Sequence, residues 1–452
     1  MGPEGKILII GAGKSGISSA CLLLRNGYQA EIYDGNEKLD VEALRGKSPL
    51  LKDIPVYLGK IPEKDMDQIT EAVISPGVSP EIPLVQELEG KGKKIIGEIE
   101  LAYHFAKGKI IGITGTNGKT TTTSLVGEIL KKKYKDVQVA GNIGNPFTDV
   151  ADQTKEDTVS VLELSSFQLE TVDTFHADVS AILNITPDHL DRHHTMENYA
   201  ACKMRVTNRQ TKQDTCVLNG ANEYTAEFAG KCPAHVVLFS SEEELKDGYF
   251  LRDGAILHAE GGKEEKVFSL TDTTLIGTCN AENIMAAIAI CRAMDVPMEE
   301  IADAIKAFRA VPHRIEYVAT KRGVRFYNDS KGTNPDAAIQ AIKAMDAKTC
   351  LIAGGYDKEI PFDDWIKAFD GKVKKLVLLG QTAQIIADTA KKYGFTNIAF
   401  AGSLEEAVKV SYESAEPGEI VLLSPACASW GMFPNYEVRG DMFKDYVRTL
   451  AE

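Results

Sequence analysis

The amino-acid sequence predicts an α/β protein made of three domains, each built around a parallel sheet. First, 452 residues exceed the size of one ordinary domain and suit about three. Second, short apolar runs with strand character alternate with helical patterns along the chain, as in doubly wound sheets. Third, glycine-bearing turns between a strand and a helix recur, and the alternation restarts near residues 98 and 311. We therefore predict domains over residues 1–97, 98–310 and 311–452.

Composition and charge exclude several classes of protein. With 44% apolar and 26% charged residues the chain is typical of a water-soluble globular protein, and it lacks the run of about 18 apolar residues that spans a membrane. Its N-terminus enters a strand without the features of an export signal, and its eight scattered cysteines form no C-x-x-C pair. A net charge of −14 argues against nucleic acid as a partner. We expect a cytoplasmic monomer, not inserted in a membrane, that meets anionic ligands through a few placed cations.

The first domain opens with a nucleotide-binding fingerprint. The apolar strand Lys6 to Ile10 leads into a G-x-G-x-x-G turn at Gly11 to Gly16, and a second strand ends at Asp34 about 20 residues further on. This is the pattern of a Rossmann-like domain. Taken alone it indicates NAD, but the turn recognises only a diphosphate and Asp34 only a ribose-type diol, so any diphosphate nucleotide fits. A turn that merely allows close helix packing remains the alternative.

The second domain begins with a glycine-rich loop between a strand and a helix. In the segment 109–123, KIIGITGTNGKTTTT, backbone amides near Gly115 and Gly118 can face phosphate oxygens. Lys119 adds a point charge, and Thr120 offers a hydroxyl to Mg²⁺. The loop is a variant of G-x-x-x-x-G-K-[ST], because isoleucine stands where the first glycine belongs. A tight turn without a ligand explains the lysine and the threonines poorly, so we predict a P-loop ATPase-like α/β domain.

Polar residues follow two further predicted strands of this domain. The run Val159 to Leu164 contains Glu163 near its end, and the run Val179 to Ile185 is followed by His189. Because parallel strands present their carboxyl ends to a common ligand, we expect Glu163 and His189 beside Lys119, as Mg²⁺ ligands for phosphoryl transfer.

Other polar segments of the second domain are interpreted as structural or left open. His193 and His194 are predicted to form a solvated turn and are excluded from the site. Between about residues 217 and 270, turns such as Asp247-Gly248, Asp253-Gly254 and Gly261-Gly262 predict hairpins. A helix over 281–294 follows, where Asn283 and Asn280 could bind a base or ribose; helix capping is an equal alternative for Asn280.

The third domain alternates strands and helices again and is predicted to be Rossmann-like. Its strands end in three polar segments that contain NDSKGTN, GGYDK and SPACAS. These segments begin at residues 328, 354 and 424, after apolar runs. We expect them to converge at one edge of a sheet.

Together these motifs resemble the Mur ligase family, ATP-dependent enzymes that add amino acids to a peptidoglycan precursor. The resemblance is carried by GTNGKTT, LELSSFQLE, NITPDHLDRH, YAACKMRV, and PHRIE with NDSKGTN, and it covers essentially the whole chain. NDSKGTN and SPACASWGMF are similar to the member that adds D-glutamate to UDP-N-acetylmuramoyl-L-alanine. The D-N-P-type motif of the members that add diaminopimelate or lysine is not found. Folylpolyglutamate synthetase shares the phosphate loop but not the N-terminal nucleotide domain.

The resemblance implies a reaction and its ligands. ATP would phosphorylate the carboxylate of UDP-N-acetylmuramoyl-L-alanine, and the amine of D-glutamate would attack the acyl phosphate. Two Mg²⁺ ions, replaceable by Mn²⁺, would assist, together with a CO₂-derived carbamate on Lys203. The implied catalytic residues are Lys119, His189, Lys203 and Lys331. The implied metal ligands are Thr120, Glu163, His189 and the carbamate of Lys203.

The resemblance also assigns residues to each substrate. For ATP they are Gly115, Thr116, Asn117, Gly118, Lys119, Thr120, Asn283, Arg314 and Asp329. For the UDP-sugar they are Ser15, Asp34, Ser75, Gly77, Asn142, Ser165 and Gln168. For D-glutamate they are Thr333, Lys358, Ser429 and Tyr436.

The sequence departs from the family pattern at two positions, and two other functions compete with the one implied. Cys279 stands where the family usually has histidine, which puts a base or ribose contact in doubt, and Tyr436 stands where phenylalanine is common. A dehydrogenase would account for the first glycine turn and Asp34 but leaves the phosphate loop unexplained. A nucleotide-binding switch without catalysis is the second alternative.

Overall fold

The computed structural model describes residues 5–451 and contains three sheets. Within these residues the chain forms two compact units. The first extends to Leu251 and adds Leu257–Val267 and Ile284–Ile305. The second holds Arg252–Ile256, Phe268–Asn283 and the chain from Lys306 onward.

The N-terminal sheet is parallel throughout and has the strand order β3-β2-β1-β4-β5. Its strands are β1 Lys6–Ile10, β2 Gln29–Asp34, β3 Val56–Leu58, β4 Ile69–Ile74 and β5 Lys94–Gly97. Its helices are α1 Lys14–Arg25, α2 Val41–Arg45, α3 Glu63–Met66, α4 Pro83–Gly90 and α5 Glu98–Tyr103. A side chain at Gly16 would place its Cβ 1.8 Å from the carbonyl oxygen of Gly11, so glycine lets α1 approach the turn.

Helix α5 connects the first sheet with the second. Leu101 packs in the apolar core of the N-terminal sheet, whereas Ile99 and Ala102 pack in the core of the central sheet. Glu100 is buried and accepts hydrogen bonds from the backbone amides of Asp173, Thr174 and Phe175. This short helix therefore belongs to both sheets through opposite faces.

The central sheet has nine strands in the order β14-β13-β12-β11-β10-β9-β6-β8-β7. They are β6 Lys109–Thr114, β7 Val137–Gly141, β8 Val159–Glu163, β9 Val179–Ile182, β10 Thr215–Asn219, β11 His235–Ser240, β12 Gly248–Arg252, β13 Ala255–Glu260 and β14 Lys263–Ser269. β6 lies between β8 and β9 and is parallel to both. The chain thus leaves β6 at a switch point of the sheet, where ligands bind in open α/β folds.

The central region contains seven α-helices in its described residues. They are α6 Lys119–Leu130, α7 Ser166–Leu169, α8 Leu190–His193, α9 Met196–Met204, α10 Glu223–Ala229, α11 Thr278–Ala293 and α12 Met298–Ala307. The two-residue turns Asp253-Gly254 and Gly261-Gly262 have positive φ at both positions, as tight hairpins require. The predicted hairpin at Asp247-Gly248 is wrong, because β11 pairs with β12 in parallel.

The C-terminal sheet has six strands in the order β15-β16-β20-β17-β18-β19, of which only the β15–β16 pair is antiparallel. They are β15 Glu316–Lys321, β16 Val324–Asn328, β17 Thr349–Ala353, β18 Val373–Leu378, β19 Ile398–Phe400 and β20 Ile420–Leu423. The helices are α13 Pro335–Ala344, α14 Asp363–Lys367, α15 Ala383–Lys392, α16 Leu404–Ser414 and α17 Tyr436–Thr449. The adjacent strands β16, β20 and β17 lead into the three predicted polar segments.

The α/β fold with three sheets confirms the predicted fold class. The domain limits at residues 97 and 310 stay a prediction. Among the described residues, no helix is both long enough and apolar enough to cross a membrane.

Candidate active site

The glycine-rich loop connects β6 to α6 and has positive φ angles at two glycines. Gly115 has φ +151° and Gly118, which precedes α6, has φ +85°. Such values are accessible to glycine at little cost, so the loop needs glycine at both positions. The Nζ atom of Lys119 folds back and donates to the carbonyl oxygens of Gly115 and Thr116, each at 2.8 Å. The lysine ammonium is thereby held over the loop at the start of the helix.

Asn184, just beyond β9, holds the loop in place. Its carbonyl accepts the amide of Thr116 at 2.9 Å, and its Oδ1 accepts the amide of Asn117 at 2.8 Å. The hydroxyl of Thr116 also contacts Tyr199 OH, at 3.1 Å. Since two loop amides are bonded to Asn184, phosphate oxygens are best met by the first turn of α6, whose amides have no intrahelical acceptor.

Lys203 lies inside the protein next to this loop. Its side chain is 1% exposed, its Nζ donates to the carbonyl oxygen of Gly115 at 2.8 Å, and it lies 4.6 Å from the ring centroid of Tyr199. Burial, aided by the charge of Lys119, holds the pKa of the Lys203 amine well below its usual value. The two lysines thus share one carbonyl oxygen. Lysine side chains are rarely buried completely, and no local pattern in the sequence indicates that Lys203 is.

Glu163 and His189 follow the strands on either side of β6, as predicted. Glu163 is 2% exposed; its Oε1 accepts from the Nδ2 of Asn142 at 2.8 Å, whereas its Oε2 is buried without a hydrogen-bond partner among the described residues. His189 is half exposed, has φ +53°, and its Nε2 lies 3.6 Å from Oδ2 of Asp188. The unsatisfied carboxylate oxygen fits a hard cation that takes oxygen ligands.

His193 is not in a solvated turn, and that prediction is wrong. Its side chain is 4% exposed, with Nε2 2.9 Å from Ser166 Oγ and Nδ1 3.3 Å from Glu170 Oε1. Burial, aided by the charge of the nearby His189, lowers the pKa of His193 to about 4. His194, in contrast, is exposed as predicted.

A cleft of about 990 Å³ lies at the carboxyl end of the N-terminal sheet. Gly11, Asp34 and Gly77 line it, each of them following a different strand. The carboxylate of Asp34 accepts from the amides of Ala12 and Asn36, both at 2.8 Å. These bonds fix the glycine turn at the mouth of the cleft.

Other residues predicted for the UDP-sugar lie where this sheet meets the central one. Ser75 and Gln168 line one narrow crevice with Glu98. Ser165 and Gln168 form a capping box on α7, which is a structural role sufficient to explain both. Asn142 lies in a loop that Lys14 contacts through the carbonyl oxygen of Gly144 at 2.6 Å.

Glu98 is a polar residue of this region that the sequence analysis missed. It is 2% exposed, and its Oε1 accepts from the Nε2 of Gln168 at 2.6 Å, whereas its Oε2 is buried without a hydrogen-bond partner among the described residues. Burial raises the pKa of this carboxyl, and the hydrogen bond from Gln168 offsets part of that rise. Its position directly after β5, at the same edge as the glycine turn, was the available signal.

In the second compact unit, Asp329 is the most enclosed of the predicted nucleotide residues. It is completely buried; Oδ2 accepts from Ser424 Oγ at 2.8 Å, and Oδ1 lies 3.9 Å from the guanidinium of Arg314. Burial raises the pKa of Asp329 to about 6, against the opposing effect of Arg314 and Ser424. The structure thus brings Arg314 and Asp329 together.

The asparagines of α11 form a pair within the same unit. Asn283 Nδ2 lies 3.2 Å from Asn280 Oδ1, and Asn280 Nδ2 donates to the carbonyl oxygen of Ile276 at 2.8 Å. Asn280 is the third residue of α11 and donates to a backbone carbonyl, so it is not an N-cap, and the capping alternative is wrong in that form. Burial raises the pKa of the Cys279 thiol to about 12, which makes it a poor counterpart of an imidazole.

The residues predicted for D-glutamate group around two aromatic rings of this unit. The Nζ of Lys331 lies 5.4 Å from the ring centroid of Tyr436, and that of Lys358 lies 5.9 Å from the ring centroid of Trp430. Ser429, which precedes Trp430, is buried. Thr333 is placed beside Lys331 by a hydrogen bond from its amide to the Lys331 carbonyl, at 2.9 Å.

Three family models match the chain: the MurD-like N-terminal domain over residues 5–97, the Mur ligase middle domain over 113–291, and the glutamate ligase domain of Mur ligases over 313–427. The chain belongs to the Mur ligase family.

Two relatives and one solved structure make the likeness specific. The UDP-N-acetylmuramoylalanine–D-glutamate ligase of Lachnoclostridium phytofermentans is 54% identical, over 99% of this chain and 98% of its own length. The enzyme of the same name from Lachnospira eligens is 52% identical over 98% of both chains. The structure of UDP-N-acetylmuramate–alanine ligase MurC from Thermotoga maritima has a TM-score of 0.61 at 19% identity, covering 98% of this chain and 99% of its own, and shares the fold.

Proposed function

We propose that this protein is the ATP-dependent ligase that joins D-glutamate to UDP-N-acetylmuramoyl-L-alanine in peptidoglycan precursor synthesis. The observation that carries the proposal is the identity of 54%, spread over nearly the whole chain, with a relative of that name. The buried Lys203 and the partly buried Lys119 at the phosphate loop support it, as do the contacts of Lys331 with Tyr436 and of Lys358 with Trp430 in the second unit.

The chemistry explains why a phosphate loop is needed. A carboxylate is a poor acyl donor until one of its oxygens becomes a leaving group. The alanyl carboxylate attacks the γ-phosphorus of ATP and releases ADP, which yields an acyl phosphate. The amine of D-glutamate then attacks the acyl carbon, loses a proton, and expels inorganic phosphate as the amide forms.

The central residues suit the first of these steps. Lys119 holds its ammonium beside the loop, and the start of α6 offers amides to the phosphate chain. Thr120, Glu163 and His189 would hold Mg²⁺ or Mn²⁺, with two ions in the complete site. When bound, these ions neutralise charge on the transferring phosphoryl group.

Lys203 is suited to become a carbamate. Its amine is enclosed at the loop and is in the electrostatic environment of Glu163 and Asp188. Addition of the neutral amine to CO₂ forms an N–C bond and releases a proton, which converts a buried neutral amine into an anion. This anion would complete the ligand set with Glu163 and His189.

The two substrates are assigned to separate regions. The cleft lined by Asp34 and Gly77 suits UDP, and Ser15, Ser75, Asn142, Ser165 and Gln168 are proposed along the path of the sugar. Lys358, Thr333, Ser429 and Tyr436 suit a dicarboxylate amino acid, since a lysine and hydroxyl donors bind carboxylates well. Lys331 would place the acyl phosphate, while Asn283, Arg314 and Asp329 would contact the adenine nucleotide.

We further propose that the enzyme acts in the cytoplasm as a monomer. Its proposed substrates include ATP and a nucleotide sugar. The described residues contain eight cysteines, all of them free. Free cysteines are compatible with a reducing compartment.

The reaction is tested by following ADP and phosphate with each substrate omitted in turn. We expect both products only when ATP, UDP-N-acetylmuramoyl-L-alanine and D-glutamate are all present, together with a product heavier by one glutamyl residue. Lys119→Ala serves as the inactive control. Equal ADP release without the amino acid, or equal product with L-glutamate, would contradict the proposal.

A further inference from the structure

Three side chains with different donor atoms meet outside the phosphate loop. They are Glu170 after α7, His193 at the end of α8 and Cys202 in α9, which we call the Glu170 cluster. One carboxylate oxygen, one imidazole nitrogen and the thiol sulfur all lie within 4.8 Å of one another. The cluster contains none of the residues proposed above for ATP, Mg²⁺ or either substrate.

The donors of this cluster are held in place by their neighbours. The hydroxyl of Ser166 lies 2.9 Å from Nε2 of His193, which leaves Nδ1 facing Glu170 Oε1 at 3.3 Å. The ring of His193 also stacks on Phe167 with an interplanar angle of 24°. Hydrogen bonding of the distal nitrogen and restraint of the ring are the usual support for a metal-binding histidine.

Some groups around the Glu170 cluster favour the binding of a cation, and others disfavour it. Arg192 bonds the other carboxylate oxygen of Glu170 at 2.6 Å, and Arg205 bonds the Glu170 carbonyl oxygen. Both guanidinium groups disfavour a cation, as does the neighbouring Lys203 if charged. Glu170 Oε1 is nevertheless directed at His193, and Cys202 is one of only two cysteines in the described chain that are not fully buried.

We propose that Glu170, His193 and Cys202 bind a thiophilic divalent cation such as Zn²⁺, at a site separate from the Mg²⁺ site. A set of one sulfur, one nitrogen and one oxygen donor suits Zn²⁺ or Co²⁺, with water at a fourth, open position. Mg²⁺ demands oxygen ligands in octahedral geometry and has no affinity for such a set. Binding forms a metal–sulfur bond and releases the thiol proton to solvent.

Occupancy of this site is expected to slow the ligase reaction, and this part rests on the proposed function. Cys202 precedes the proposed carbamate residue Lys203 in α9, and Phe167 contacts the rings of both His193 and His189. A cation that pulls His193 and Cys202 together would also shift their neighbours Lys203 and His189. The site would thus make turnover sensitive to Zn²⁺ at constant Mg²⁺.

Co²⁺ is the probe that tests the binding site, because a bound thiolate gives it a charge-transfer absorption that water and carboxylates do not. We expect one Co²⁺ per chain with this absorption, displaced by Zn²⁺ but not by excess Mg²⁺. Cys202→Ser should abolish the absorption and weaken binding at least ~10-fold, while Cys279→Ser, the other cysteine of intermediate exposure, should retain both.

Several results would overturn the inference. They are an absorption that persists in Cys202→Ser, one that depends on Cys279 instead, or no saturable Co²⁺ binding at all. Circular dichroism of each variant separates loss of the site from loss of the fold. Inhibition by Zn²⁺ that is equal in wild type and Cys202→Ser would refute the inhibitory part alone, since the Co²⁺ spectrum does not depend on ligase activity.

Discussion

The side-chain amide of Gln168 donates to the buried carboxylate of Glu98 at 2.6 Å, across the junction of the N-terminal and central sheets. Gln168 in turn accepts from the backbone amide of Ser165. These bonds connect the start of α5 with α7 of the central domain. Glu98 acts as a positioning residue for Gln168, since it does not line the cleft itself.

Glu98→Ala is expected to raise the KM for UDP-N-acetylmuramoyl-L-alanine roughly tenfold, because a buried amide without its partner costs about 1–3 kcal/mol. The KM for ATP and kcat should change much less. Steady-state kinetics with each substrate varied separately measure this split. Glu98→Gln retains an acceptor oxygen and should restore most of the affinity; a variant that lowers kcat alone would argue against positioning.

Lys203→Ala is expected to lower kcat by about 100-fold or more, since it removes a proposed metal ligand. Short carboxylates such as formate or acetate should restore part of the rate by entering the vacated space. With ¹³C-bicarbonate, the wild type should show a carbamate resonance that the variant lacks. Lys212→Ala is the control, because this lysine also donates to backbone carbonyls but lies away from the loop. Full activity of Lys203→Ala would remove the carbamate proposal.

Asn184→Ala is expected to raise the KM for ATP roughly tenfold, because the loss of one or two hydrogen bonds frees the phosphate loop at a cost of about 1–2 kcal/mol. Hydrogen exchange at the Asn117 amide should accelerate in parallel. Asn222→Ala is a matched control: this asparagine also bonds the segment after β9, through Ile185, but does not touch the loop. If both variants weaken ATP to the same extent, loop anchoring is not the cause.

The ionised carboxylate of Glu100 is expected to stabilise the folded protein, and this stabilisation is expected to be lost in acid. Burial alone would raise the pKa of its carboxyl, but hydrogen bonds from His104, Thr174 and backbone amides prevail and lower it from 4.5 to about 2. A pKa depressed in the folded state stabilises the protein above the unfolded value, and this stabilisation is lost as the pH falls from about 4.5 towards 2.

Thermal unfolding between pH 2 and 7 tests this contribution. Glu100→Gln should lower stability at pH 7 by about 2 kcal/mol, the typical contribution of hydrogen bonds to a charged group. The difference from the wild type should vanish at the acid end of the range. Glu227→Gln, at an exposed ion pair with Lys231, should leave the curve unchanged. A difference that is constant with pH would show that the charge of Glu100 is not responsible.

The sequence predicted those site features that depend on strand order alone. Glu163 ends β8 and His189 follows β9, and these strands lie on either side of β6. Their placement at the same edge of the sheet as the loop could therefore be predicted without knowledge of packing. His193 could not be predicted in this way, because its burial depends on Ser166 and Glu170, which are more than 20 residues away in the chain. Features that depend on the packing of side chains between distant elements, such as the burial of His193, could therefore not be predicted from the sequence.

The burial of the Lys203 and Glu98 side chains could not be predicted from the sequence either. Nothing in the helical pattern around Lys203 indicates that its amine is enclosed, and only resemblance to a family singled it out. Glu98 belongs to no recognised motif, since a glutamate at the start of a helix is commonly explained by the helix dipole. Its enclosure becomes visible only when two sheets are brought together.

The double attachment of α5 has a consequence for recombination between related enzymes. Leu101 packs into the N-terminal core, while Glu98 and Glu100 bond Gln168 and the segment 173–175 of the central domain. A chimaera joined after Gly97 keeps these glutamates with the loops they contact, and within α5 it exchanges the apolar neighbours of Leu101. A junction after Tyr103 would bring in foreign glutamates, so crossovers that yield folded hybrids should cluster before this helix.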